Sequence, residues 1–243
     1  MSEPPISPLT ELVPAPARGR TFEREVAPGL GDAAGTGRVR LDAIARWLQD
    51  IAYADVVDAG LAGRGAWVVR RARLRIGGFP RFGEPVAVRT FCSAAGRLAA
   101  ERRTSVSGGG AAVEAVATWI HVDTETLRPL RLGKEFLAAY GESAGSRKAN
   151  FRLAHPDPPD GASRSPWRFR AADLDVAGHV NNAVYWEPVE ETFLETGEPG
   201  ATDLEIEYRE PAQPGDAVIL REGSMMWVGG AEGGVHASIV GLP

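Results

Sequence analysis

The sequence predicts an α+β fold in which a long antiparallel sheet wraps around two central helices. Three observations carry this. One long amphipathic helix opens the ordered region, strands then follow without intervening helices, and part of the pattern recurs later at one constant offset. Leu74-Arg75-Ile76, Gly83-Glu84 and Val86 in the first half match Ile206-Glu207-Tyr208, Gly215-Asp216 and Val218 in the second. A duplicated helix-plus-sheet unit accounts for that repetition. Strands running on from one another suggest α+β rather than alternating βαβ.

Taken in order, residues 1–20 carry Pro4, Pro5, Pro8, Pro14 and Pro16 and read as a disordered leader. Leu41, Ile44, Leu48, Ile51 and Ala52 recur at helical spacing beside Trp47, so a helix is predicted over 41–59. Asp42 is its candidate cap and Gly60 its stop. Residues 66–76 alternate, with Arg71, Arg73 and Arg75 on one strand face and Ala72, Leu74 and Ile76 on the other. A turn at 79–84 leads to a strand at 86–91. Residues 98–106 alternate loosely, glycines 108–110 form a hairpin turn, and 113–122 read as a strand. From 133 to 165 the pattern decays into a linker rich in turn formers. The first-half order then returns. A short strand falls at 167–170, a helix after Asn182 with a kink or restart at Pro188, and strands at 204–208 and 217–220. The divisions are therefore a leader at 1–20, a first half at 21–132, a linker at 133–165 and a second half at 166–243.

Composition bounds the function. Hydrophobic residues make up 44% and charged residues 24%, the balance of a soluble globular chain. A net charge of −5 argues against nucleic-acid binding and against adhesion to anionic membranes. No stretch approaches the ~18 apolar residues of a membrane span, and the N-terminus lacks the pattern of a secretory signal. The lone cysteine, Cys92, excludes an internal disulfide and any cysteine cage for zinc, which fits a reducing cytoplasm. No cluster has metal-ligand spacing and no Gly-rich loop has phosphate-binding spacing, so neither metal nor nucleotide cofactor is expected.

Chemistry concentrates in one segment, DLDVAGHVNNAVY at 173–185, immediately before the second predicted helix. A helix start offers unpaired N–H groups and a partial positive charge. A thioester carbonyl laid against such amides would have its developing oxyanion stabilised, one donor being worth typically ~2.7–4 kcal/mol. Asp175 could then act as nucleophile or as the base that activates water. The amides near Gly178 and Val180 would hold the carbonyl oxygen. His179 would orient substrate or aspartate, and Asn181 and Asn182 would cap the helix, with Asn182 also keeping the loop's shape. Asp173 reads as a capping or solvated acid.

This segment resembles the signature of acyl-ACP thioesterases and of the wider 4-hydroxybenzoyl-CoA thioesterase-like family. The first-half helix, the WVV and LRI pieces of the following strand, the 79–84 turn and WIHVDTETLRPLRL at 119–132 are similar to the acyl-ACP branch. The resemblance implies a tandem (double) hot-dog fold, with catalysis in the second half and the acyl pocket shaped by the first. By position it implies catalytic roles for Asp175 and His179. Plant members carry an asparagine where this chain has Ala177, and a glutamate that an ungapped match sets at Pro211, leaving Glu210 as the available carboxylate. The implied activity is hydrolysis of acyl-ACP to free fatty acid and holo-ACP, with acyl carrier protein as partner and no membrane insertion. Acyl-CoA hydrolysis, or acyl binding with weakened catalysis, are the alternatives. Trp47 and Trp67 are candidates for the pocket border, although large aromatics in such places are more often plain core. Arg70, Arg71, Arg73 and Arg75 read as a solvated strand face, within which some basic patch would steer the acidic carrier. A double hot dog already contains the pairing that single ones gain by dimerising, so a monomer or homodimer is expected.

Overall fold

The computed structural model describes residues 9–242 apart from 64 and 198. The elements are β1 (Thr21–Val26), α1 (Leu41–Asp58), β2 (Ala66–Gly78), β3 (Val86–Ala95), β4 (Ala99–Gly108), β5 (Ala111–Val122) and α2 (Lys134–Ala144), followed by β6 (Ser163–Phe169), α3 (Glu187–Thr196), β7 (Thr202–Tyr208), β8 (Gly215–Glu222), β9 (Met225–Gly230) and β10 (Val235–Val240). The ten strands among the described residues join one antiparallel sheet in the order β1-β3-β4-β5-β2-β7-β10-β9-β8-β6. Each half reads outward from the centre in the same order. The halves meet where β2 pairs with β7, Arg73 opposite Glu205 and Leu74 opposite Leu204. The repeat noticed in the sequence equates Arg73 with Glu205, so an approximate two-fold passes through that pair. The architecture is the tandem hot dog.

The helices follow from their apolar stripes. Leu41, Ile44, Leu48 and Ile51 of α1 share one core with Leu74, Ile76 and Val88. Burying four such side chains contributes roughly 6–12 kcal/mol before entropy is counted. In the second half Tyr185, Trp186, Val189 and Phe193 join Leu204, Ile206 and Ile219 in the same core. A 3-10 turn at Val184–Trp186 precedes α3, and Pro188 sits in the first turn of α3, where its missing N–H costs nothing. This is the restart expected there. Asp42 does not cap α1. It is buried and paired with Arg40 and Arg46.

Four expectations are corrected. Residues 9–20, expected as part of a disordered leader, run against the outer face of the sheet. Thr10 N–H donates to Glu205 at 2.8 Å, Arg103 Nε donates to Val13 O at 2.9 Å, and Leu9 packs on the Met225, Trp227 and Val240 cluster. Residues 1–8 lie outside the described residues. The 133–165 segment is not featureless either, because α2 buries Phe136, Tyr140 and Ala144, spaced four apart, against Cys92, Ala95 and Ala100. His155, expected in a surface linker, is buried. Finally, Arg70, Arg71 and Arg73 are not solvated. Arg71 pairs with Glu207 at 2.6 Å, Arg73 with Asp203 at 2.7 Å, and Arg70 donates to the carbonyls of Tyr208 and Arg209. The acids of β7 and the covering segments consume these charges, which leaves Arg75 exposed.

Candidate active site

The 173–181 loop is a tight turn built from its own sequence. Asp173 Oδ2 accepts Arg170 N–H at 2.7 Å and closes the turn before it. Asp175 N–H donates to His179 O at 2.9 Å, and Gly178 N–H to Asp175 O at 3.0 Å. The reversal places Gly178 at φ +76, a left-handed conformation that favours glycine. No atom lies within 4 Å of where a Cβ would stand there, so the requirement is conformational rather than steric. Asn181 N–H donates to Asp173 O at 2.8 Å and closes the loop on itself, while Val180 N–H donates to Ala212 O at 3.1 Å and docks it on the segment after β7.

The first half contains the same turn without gaps. Asp32 Oδ2 accepts Gly29 N–H, Ala34 N–H donates to Arg38 O, Gly37 N–H to Ala34 O, Val39 N–H to Pro80 O and Arg40 N–H to Asp32 O. Gly37 has φ +81. Backbone and cap therefore repeat, and the side chains differ. Where the second loop has Asp175 and His179, the first has Ala34 and Arg38.

Asp175 and His179 are both half-buried, and Asp175 Oδ1 accepts Ala177 N–H at 2.8 Å. The expected amide donors fare differently. Gly178 and Val180 N–H are already committed within the fold, whereas His179 and Asn182 N–H have no acceptor among the described residues. Asn181, rather than Asn182, is the side-chain cap, with Oδ1 accepting Ala183 N–H at 2.8 Å. Asn182 contributes through its carbonyl, which accepts the Tyr208 hydroxyl at 2.9 Å. Glu210 is exposed and turns toward the β10 side: its N–H donates to His236 O at 3.3 Å and its carboxylate lies beside Gly234. No hydrogen bond joins it to Asp175 among the described residues.

The acyl-ACP thioesterase N-terminal domain family matches residues 19–140, and the acyl-ACP thioesterase C-terminal domain family matches residues 157–233. The chain belongs to the acyl-ACP thioesterase family. An uncharacterised protein of Mycobacterium tuberculosis is 26% identical over 213 residues, covering 86% of this chain and 85% of that protein. Oleoyl-acyl carrier protein thioesterase 1 of Arabidopsis thaliana is 26% identical over 196 residues, covering 72% of this chain and 52% of that longer protein. The 12:0-ACP thioesterase of Umbellularia californica shares the fold at a TM-score of 0.71 and 20% identity, covering 93% of this chain and 97% of that one.

Hollows flank the helices of this acyl-ACP thioesterase-family chain. A cavity of about 310 Å³ lies where α1 ends and β2 begins, lined by Val56, Leu61, Trp67, Leu132 and Phe136. An open groove of about 940 Å³ runs between α3 and β6–β8, with charged walls. Asp175 lines neither. The smaller one is lined mainly by apolar side chains, with His121, Arg131 and Glu135 also on its wall, and α1 connects it with the loop. Gln49 of α1 donates to Asn181 Oδ1 at 3.0 Å, and Val56 lies seven residues on along the same helix face, ~10 Å away. Tyr53 (68% exposed) lies between the two and Val57 (48% exposed) just beyond Val56, an open apolar strip on α1. Trp47 is core, and Trp67 is on the cavity wall.

Several shaping residues carry no sequence signal. Tyr185 receives Ala212 N–H at 3.0 Å, and burial pushes its phenol up to about 12. Tyr208 bonds Asn182 O and receives Trp186 Nε1–H at 3.2 Å, with burial again raising its phenol. Gln213 donates to Gly178 O at 3.0 Å. Burial pushes the Cys92 thiol up to about 11, the reverse of an activated nucleophile. His155, Glu205 and Glu207 lie within metal-ligand reach of one another, but Arg71 is bonded to Glu207 and lies 3.9 Å from Glu205, which makes the group an ion-pair network. No helix among the described residues is long and apolar enough to cross a membrane.

Proposed function

We propose that this protein hydrolyses acyl-ACP thioesters, releasing a free fatty acid and holo-ACP. The observation that carries the reading is the difference between two otherwise matching turns. One presents a half-buried carboxylate with free backbone N–H groups following it, and the other has alanine at the same position. Asp175 takes a proton from a water that attacks the thioester carbonyl carbon. The carbonyl oxygen becomes an oxyanion held by backbone N–H, the C–S bond breaks, and the proton passes to the leaving thiolate. Each donor is worth ~2.7–4 kcal/mol of barrier. The acyl chain lies along the strip from Gln49 past Tyr53 to the cavity walled by Trp67 and Phe136. Family membership and the likeness to an oleoyl-acyl carrier protein thioesterase favour ACP over CoA as carrier. His179 assists positioning, and Glu210 keeps only a peripheral place in the proposal.

The test is thiol release from acyl-ACP and matching acyl-CoA substrates by the wild type and Asp175→Asn. The variant keeps the bond from Ala177 N–H and the fold, and its kcat is expected to fall by ~10²–10⁴. Near-normal turnover in Asp175→Asn would exclude the role given to this carboxylate. Faster release from CoA than from ACP at equal chain length would reassign the carrier.

A further inference from the structure

We infer that Gln49, on the helix of the opposite half, is a positioning residue of the Asp175 loop, and that the Asn182 N–H it steadies is the donor that meets the thioester oxygen. The inference deepens the hydrolase reading and, for the identity of the ligand, rests on it.

The two-fold relation supplies the argument. In the first half, Glu190 reaches across from α3 and fills the loop. Its Oε2 accepts Leu41 N–H at 3.0 Å and Arg38 Nη1 at 3.1 Å, while Oε1 takes Arg38 Nη2. Both side chains are sealed, at 2% and 3% exposure. The fold thus already holds one negatively charged carboxyl oxygen against the first free amide of a helix following this turn. Continuing the gapless match of the turns sets Asn182 at Leu41, His179 at Arg38 and Gln49 at Glu190.

Gln49 does reach its loop, yet it does not fill it. Its Nε2 donates to Asn181 Oδ1, and the same Oδ1 caps Ala183 N–H. Asn181 O accepts Val184 N–H at 3.0 Å. The Asn181–Asn182 peptide is therefore held at both its side chain and its carbonyl, with the Asn182 N–H left free among the described residues. A neutral carboxamide opposite a histidine does not form the charged, buried plug that Glu190 makes with Arg38. One half is closed by its own carboxylate, and its mate stays open for a substrate carbonyl.

Two variants of the full chain test this. Gln49→Glu is isosteric and should recreate the plug, its carboxylate accepting Asn182 N–H. Hydrogen exchange of that amide, followed by NMR, should slow about tenfold or more, and kcat/KM should fall ~100-fold or more. Gln49→Ala should move the same amide the other way, speeding its exchange, and should lower kcat about tenfold with little change in KM. A purely structural glutamine would lower the melting temperature in both variants without opposite effects on Asn182. Unchanged Asn182 exchange in both variants overturns the inference, as does Gln49→Glu with kcat/KM within about threefold of wild type. Should the wild type itself release no thiol, the hydrolase reading fails while the exchange measurements still decide the placement of Gln49.

Discussion

Replacing Arg38 by methionine isolates the ion pair that seals the first-half loop. Arg38 and Glu190 are 2% and 3% exposed, and the guanidinium supplies two of the three hydrogen bonds on the carboxylate. Methionine approximates the volume of the arginine stem, so little cavity is created. What remains is a buried carboxylate with a single partner, Leu41 N–H. Stranding one member of a buried pair costs about 3–5 kcal/mol. For a chain of this length each kcal/mol lowers Tm by roughly 2–4 °C, so a fall of ~6–20 °C is expected. Adding Glu190→Gln removes the stranded charge while its Oε1 still accepts Leu41 N–H, so the double variant should recover to within about 2 kcal/mol of wild type. Urea unfolding followed by circular dichroism and tryptophan fluorescence, with coincident transitions, gives the cycle directly. A loss below about 1 kcal/mol in Arg38→Met, or a double variant weaker than the single, refutes this account of the plug.

Two further outcomes follow from the geometry. Tyr208→Phe leaves Trp186 Nε1–H and Asn182 O without their buried partner, and differential scanning calorimetry should show a loss of about 3 kcal/mol; a change under about 0.5 kcal/mol would remove the tyrosine from the support of the loop. Burial pushes the Asp42 carboxyl up, but hydrogen bonds from Arg40 and Arg46 outweigh it and hold the group below its ordinary value. A depressed folded value means the stabilisation is complete above the unfolded value of about 3.9 and is lost as pH falls through the folded one. The stability gap between wild type and Asp42→Asn should therefore stay level from pH 8 to 5 and narrow below about pH 4; a gap unchanged down to pH 3 contradicts the pairing.

Much of the fold was legible because local patterns there agree with tertiary partners. The 3.6-residue recurrence of Leu41, Ile44, Leu48 and Ile51 matches α1, since the same stripe that defines the helix is the stripe that is buried. The constant offset between the 74–86 and 206–218 segments foretold the mirrored sheet, because duplicated units keep their turn glycines. The strands Met225–Gly230 and Val235–Val240 went unread: Gly229, Gly230 and an interposed His236 cut their apolar runs short, and they gain stability from neighbours on both sides. Residues 9–20 lack any internal preference for order and are fixed by Arg73, Arg103 and Glu205, which lie far away in the chain.

The sequence by itself determined the turn that carries Asp175. An aspartate that closes its own turn, a glycine at positive φ and an asparagine cap are local interactions that short spacing can encode. Only the tertiary structure decided which amides stay free, that Glu210 sits toward His236, and that Gln49 holds Asn181 across 132 residues. Those facts depend on how two halves pack about a shared axis, and a contact between distant side chains leaves no period or spacing in either segment.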